Sequence, residues 1–184
     1  MASFYSLPEL GNVTASLVVS PEGAFVGANG ASTGIGNRTD FELLMHLRSR
    51  SDVVLTSGVT ARMERYRHPT TADLAVFTRG PKFVPFGGTG NSVVHIPAEV
   101  EDYRSAVAYL QAQGYEAIHT EFGATGFSAL SVDDKVVALL SSTSPEGIEN
   151  FCDQRGLIVI SQVQIEDLHI ARVTQRGKVA SAWL

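Results

Sequence analysis

Apolar positions along this chain follow two rhythms: short β-branched runs, and longer stretches with apolar residues three and four apart. Val13 to Val19 is a run of the first kind, ending at the turn residues Ser20-Pro21-Glu22-Gly23, and it predicts a buried strand entering a loop. From Gly27 to Asn37 four glycines mix with Asn, Ser and Thr, which predicts a long surface loop. Thr39-Asp40-Phe41-Glu42 matches a capping box, in which the Thr hydroxyl and Glu carboxylate satisfy each other's free backbone N–H groups. A helix is expected from there to about Ser51. Phe41, Leu44, Met45 and Leu47 would form its apolar face, and Arg48 and Arg50 would sit in a last turn where the dipole favours cations. Asp52 to Thr56 reads as a strand, and Ser57-Gly58-Val59-Thr60 as a turn into a short helix beginning at Ala61.

Leu74 to Phe77 and Val93 to Ile96 predict two more strands, joined through Pro81, Pro85, Gly87, Gly88 and Gly90. Val100, Tyr103, Ala106, Val107 and Leu110 recur at helical spacing, so Glu99 to Gln113 predicts a helix stopped by Gly114. Tyr115 to His119 is expected as a strand, completing a strand–helix–strand unit from Val93. Glu121 to Phe127 then turns into a short helix ending near Leu130, and Lys135 to Leu140 is a buried strand. Cys152 falls in what reads as a polar loop. Ile158 to Val163 and Leu168 to Val173 pair as antiparallel strands across Ile165-Glu166-Asp167. The expected class is α/β, a mixed, mostly parallel central sheet flanked by helices, with an antiparallel C-terminal strand pair. No internal repeat is visible.

Composition narrows the function classes. A length of 184 residues with 44% hydrophobic and 18% charged residues suits one globular domain over 1–184. The net charge of −5 and the lack of clustered cations disfavour nucleic acid as a partner. Apolar runs fall far short of the ~20 residues a spanning helix needs, so no membrane partner is expected. The first fifteen residues lack the basic start and apolar core of a secretory leader. A lone Cys152 can form neither an internal disulfide nor a thiolate zinc site, which fits a reducing cytoplasm.

Two glycine-containing turns carry the candidate chemistry. Ser57 to Thr60 and Glu121 to Gly126 each follow a predicted strand and open a helix, where free N–H groups can face an anion and glycine admits close backbone approach. Taken alone, each reads first as an ordinary tight turn with glycine at a positive φ. The dinucleotide Gly-x-Gly-x-x-Gly fingerprint, the P-loop and the Gly-x-Ser-x-Gly elbow are all absent. His46, His68, His95, His119 and His169 show no metal-ligand spacing, so no metal is expected.

Taken in order, Ser20-Pro-Glu-Gly23, the glycine-rich loop with Ser32, Leu47-Arg48, Asp52 to Thr60, Arg62-Met-Glu-Arg-Tyr66 and Glu121-Phe-Gly-Ala124 resemble the pyrimidine reductase domain of riboflavin biosynthesis. The resemblance spans about Val13 to Arg176. It implies a dihydrofolate-reductase-like fold, NADPH as hydride donor, a small-molecule substrate and a homodimer. The implied activity is that of 5-amino-6-(5-phosphoribosylamino)uracil reductase. Carried over by position, Val19, Gly58, Thr60, Glu64, Gly123, Ala124, Thr125 and Gly126 would line the cofactor. Ser32, Arg48 and Glu121 would face substrate, with Glu121 the catalytic candidate. Arg48 could equally serve only to cap its helix, and Glu121 only to pair with a cation.

The chain departs from the family pattern at Glu22, Ser57, Val59, Phe122 and Ala124. It also reads His68-Pro69-Thr70-Thr71 where an arginine for the sugar phosphate is usual, leaving Arg65 or Arg67 as substitutes. Two other readings follow: a non-catalytic nucleotide- or metabolite-binding relative, or a same-fold reductase of another carbonyl or pteridine-like substrate. A deaminase half would need a zinc site of the Pro-Cys-x-x-Cys type, which one cysteine cannot supply.

Overall fold

The computed structural model describes residues 4, 7, 9–27, 32, 34–87 and 93–177. The elements run β1 (Val13–Val18), α1 (Arg38–Ser49), β2 (Val53–Ser57), α2 (Gly58–Met63), β3 (Asp73–Phe77), β4 (Val93–His95), α3 (Tyr103–Ala112), β5 (Ile118–Glu121), α4 (Ala124–Leu130), β6 (Val136–Ser142), α5 (Pro145–Arg155), β7 (Leu157–Ile165) and β8 (Leu168–Gln175). The strands form one eight-stranded sheet in the order β4-β3-β2-β5-β1-β6-β8-β7. β4 to β6 run parallel, and β8 pairs antiparallel with both β6 and β7.

Both faces of the sheet are covered, and the two-residue side-chain period of a strand divides its residues between them. In β6, Val136, Ala138 and Leu140 join a large core with Ala106, Leu110, Phe127, Ile148 and Phe151 of α3, α4 and α5. Val137 and Leu139 point the other way, into a cluster with Leu43 and Leu47 of α1 and Leu168 and Ile170 of β8. Leu74 and Val76 of β3 pack with Ala61 of α2 and Phe83.

The structure corrects several boundaries. Asn37, not Thr39, caps α1, accepting from the Asp40 amide at 2.9 Å. Thr39 is buried one position inside, and its hydroxyl donates to Asp167 at 2.7 Å. The helix therefore turns Leu43 and Leu47 inward and leaves Phe41 60% exposed. α3 starts at Tyr103 behind an Asp102 cap, and Gly114 follows its end with φ +94°. β5 begins at Ile118 because Asp52 Oδ2 accepts from the Glu116 and Ala117 amides at 3.0 and 2.8 Å, keeping those amides out of the strand ladder. β4 and β5 are parallel but separated by β3 and β2.

α5 is a helix where a polar loop was expected, with Pro145 in its first turn and Gly156 closing it at φ +65°. Cys152 lies buried on its inner face. β8 is interior, and β7 and β4 are the two edge strands. The chain from 178 to 184, Gly88 and Gly90, and part of the loop between Gly27 and Asn37 lie outside the described residues.

Candidate functional site

The carboxyl ends of β1, β2, β3 and β5 open onto two cavities that share Phe25, Val59, Thr60 and Gly123. In an open parallel sheet this edge is where ligands bind, because the loops and helix starts there converge. The first cavity, about 280 Å³, has walls of Leu17, Val26, Leu43, Leu44, Leu47 and Met63. The second, about 670 Å³, is a groove formed by Ser57 to Thr60, Thr78 to Gly80 and Gly123 to Gly126.

Glu121 is the last residue of β5 and lines the first cavity, 6% exposed. Arg48, in the last turn of α1, grips it with two parallel bonds, Nε to Oε1 at 2.7 Å and a terminal nitrogen to Oε2 at 2.6 Å. The Tyr66 hydroxyl donates to Oε2 as well, and the Arg48 guanidinium lies 5.2 Å from the Tyr66 ring centre. Behind them, the fully buried His119 places Nε2 3.2 Å from Ser16 Oγ and 3.5 Å from Glu121 Oε1. Burial works against the Glu121 charge, yet Arg48, His119 and the Tyr66 hydroxyl outweigh it and hold the carboxyl below its ordinary range. Burial and the adjacent carboxylate push the Tyr66 phenol well up, and burial pushes His119 down toward its neutral form.

Two more carboxyls line the same cavity. Asp40, in the first turn of α1, accepts from the Ser141 hydroxyl at 2.6 Å, and burial raises its pKa despite that bond. Glu64, just past α2, accepts from the Ser32 amide at 2.6 Å and so holds Ser32 at the cavity wall.

The groove is built largely from backbone. Ser57 caps α2, its Oγ accepting from the Thr60 amide at 3.0 Å and donating to the Thr60 hydroxyl at 2.9 Å, which leaves that hydroxyl free to donate onward. Gly58 lies against Thr78, and a Cβ there would stand 2.5 Å from Thr78 Oγ1. Gly123 precedes α4 without a side-chain cap, so the first-turn amides of Ala124, Thr125 and Gly126 stay unclaimed by any capping side chain. Gly126 is packed against Phe122, whose Cβ would meet an added methyl at 2.4 Å. Arg62 and Arg79 bring cations to the groove, Arg79 bracing itself on the Glu101 carbonyl at 2.7 Å.

Of the residues the sequence singled out, Gly58, Thr60, Gly123, Ala124, Thr125 and Gly126 line the groove, and Ser32 and Glu121 line the first cavity. Glu64 also lines the first cavity, not the groove. Val19 is fully buried in the core, its amide bonded to Ser141, and lines neither, whereas Ser16, Leu17 and Val18 do line the cavity. Arg48 acts through Glu121 and does not line the cavity itself. Arg65 stacks over Phe86, and neither it nor Arg67 reaches either cavity. Phe122 is 3% exposed, its ring 4.7 Å from that of Tyr103, so it packs as core and leaves the groove open. Val59 is 62% exposed at the junction of the two cavities.

Sequence reasoning missed Asp40, read only as part of a cap, and Tyr66, His119 and Ser16. It also missed Thr78 to Gly80, which the parallel-strand rule could have found, since they follow a predicted strand. Among the described residues, no group of three or more His, Cys, Asp or Glu side chains could hold a metal, and no helix is long and apolar enough to cross a membrane.

The mostly parallel sheet, its antiparallel β6-β8-β7 end and the site at the strand carboxyl ends define a dihydrofolate-reductase-like fold. Solved structures that share it include a pyrimidine reductase-like protein from Corynebacterium diphtheriae, with a TM-score of 0.66 and 17% identity over 93% of this chain and 96% of that one. Acinetobacter baumannii RibD aligns at a TM-score of 0.62 and 14% identity, over 90% of this chain but only 58% of that longer one. Dihydrofolate reductase from Enterococcus faecalis, solved with NADP(H), aligns at a TM-score of 0.53 and 15% identity over 89% and 96% of the two chains. The sequence matches no protein-family profile and no curated protein.

Proposed function

We propose that the protein is an NADPH-dependent reductase of the pyrimidine-reductase type, acting on a small ring-bearing substrate. The observation that carries this reading is the meeting of an amide- and arginine-lined groove with an apolar, acid-lined cavity at one sheet edge. The groove residues fit a phosphate-bearing cofactor. Arg62 and Arg79 would hold phosphate groups, and an added Cβ at Gly123 would meet nothing within 4 Å, which leaves space for a ligand beside the first turn of α4. NADPH would supply the hydride.

The residues of the chain orient, exclude water and handle the proton. Phe25 and Val59 close the junction between groove and cavity, and the apolar walls keep water from the reacting carbon. Glu121, held ionised by Arg48 and Tyr66, has no proton to give and serves as a fixed acceptor that orients a substrate N–H or O–H. Asp40, whose pKa burial raises, is the cavity carboxyl placed to exchange a proton with the substrate. The same reading carries a cytoplasmic location and a homodimer. Exposed Val159 and Ile160 on the edge strand β7 support the dimer, and a monomer in sedimentation would remove it.

Titration with NADPH, followed by thermal shift with NADH as control, tests the proposal. A dissociation constant below ~100 μM would stabilise the fold by more than ~1 kcal/mol at millimolar ligand. Selective NADPH binding is expected; no binding overturns the reading.

A further inference from the structure

The first cavity is lined by three carboxyl groups, Asp40, Glu64 and Glu121, and by no lysine, arginine or histidine among the described residues. The surrounding cations are committed elsewhere. Arg48 forms a bidentate ion pair with Glu121, so that pair is close to neutral as a unit. Arg38 is 86% exposed and pairs with Glu42, and Arg65 lies on Phe86. Arg62 lines the groove and not the cavity. Between Val26 and Asp40 the sequence carries no basic residue except Arg38, so the glycine-rich loop holds no other cation to offer. Asp40 and Glu64 have no cationic partner among the described residues, Asp40 taking a hydroxyl proton and Glu64 an amide.

Charge thus differs between two adjoining spaces: the groove sets Arg62 and Arg79 beside Glu101 and Asp102, whereas the cavity carries carboxyls and no cation among the described residues. A phosphate in the cavity would meet carboxylates across apolar walls that screen poorly, with no fork of donors to receive it. The volume of about 280 Å³ sits at the small end of ligand pockets, suiting one ring and a short substituent. We propose that the substrate of this cavity is a compact ring compound without a phosphate, neutral or cationic where it meets Asp40 and Glu64. This rests on the reductase reading of the site, and it departs from the phosphoribosyl substrate that the sequence resemblance implies.

Calorimetric titration of the NADPH-saturated protein with uridine and with uridine 5′-monophosphate tests it, because saturation keeps the nucleotide out of the groove. Uridine should bind about tenfold more tightly at low ionic strength, and the ratio should shrink as salt screens the carboxylates. Met63→Arg places a cation on the cavity wall at a position 48% exposed, where the fold tolerates it, and should erase the preference. Equal or tighter binding of the monophosphate to the natural chain overturns the proposal, as does failure of both probes while NADPH still binds. If NADPH itself does not bind, the reductase reading fails separately, and the same pair measured without cofactor still decides the charge preference.

Discussion

Glu121, buried, and Asp40, half-buried, line one cavity, and their surroundings push their carboxyls in opposite directions. Glu121 is held ionised, its carboxyl below the ordinary value of 4.5. The unfolded chain takes up that proton first as pH falls, so the stability this group contributes is present above about 4.5 and lost as pH falls through its folded value. Asp40 is raised above 3.8, so the folded chain binds its proton more readily and loses stability as pH rises through the folded value. Two substitutions separate them. Arg48→Met strands a buried charge and should lower unfolding stability by about 3–5 kcal/mol in urea titration, partly restored by adding Glu121→Leu. Asp40→Asn keeps the Ser141 contact, removes the cost of burying a charge, and should leave stability at neutral pH unchanged or higher while slowing turnover. Glu121 and Arg48 were legible as residues because both sit at predicted element ends. Their union with Tyr66 was not, since 55 and 73 residues of chain separate the partners from Glu121 and only the sheet order joins them.

At the scale of elements, local signals were read well where hydrophobic rhythm and turn residues agree. Helices follow both glycine-containing strand ends as expected, but α2 begins at Gly58 rather than Ala61, because Ser57 caps it, and α4 begins directly after Gly123. β5 slid because Asp52, 64 residues away, captures the amides of Glu116 and Ala117. α5 was missed although Pro145, Ile148, Phe151, Cys152 and Gly156 spell its start, inner face and stop; its polar exposed positions masked the spacing. One consequence is that Cys152 is buried and its thiol is pushed up to about 11, so it should resist thiol reagents until the chain is unfolded. A second concerns α4. Gly126→Ala improves helix propensity by about 1 kcal/mol, but the new methyl would meet Phe122 Cβ at 2.4 Å, which no rotamer change can relieve. Overpacking should win, giving a net loss of about 1–3 kcal/mol in thermal or chemical unfolding.

Across the whole molecule, fold class was readable because strand and helix rhythms alternate in the middle and give way to a strand pair at the end. Strand order was not readable, because β5 inserts between β2 and β1 by a long-range choice that no local pattern encodes. That insertion brings Glu121 against Arg48 and sets the Gly123 turn beside Ser57, so groove and cavity are products of topology. The central claim is that this groove holds NADPH. Amide hydrogen exchange with and without saturating NADPH tests both binding and place. Protection concentrated at 57–60, 78–80 and 123–126 is the predicted result; unchanged exchange there, or protection confined to another surface, would contradict it.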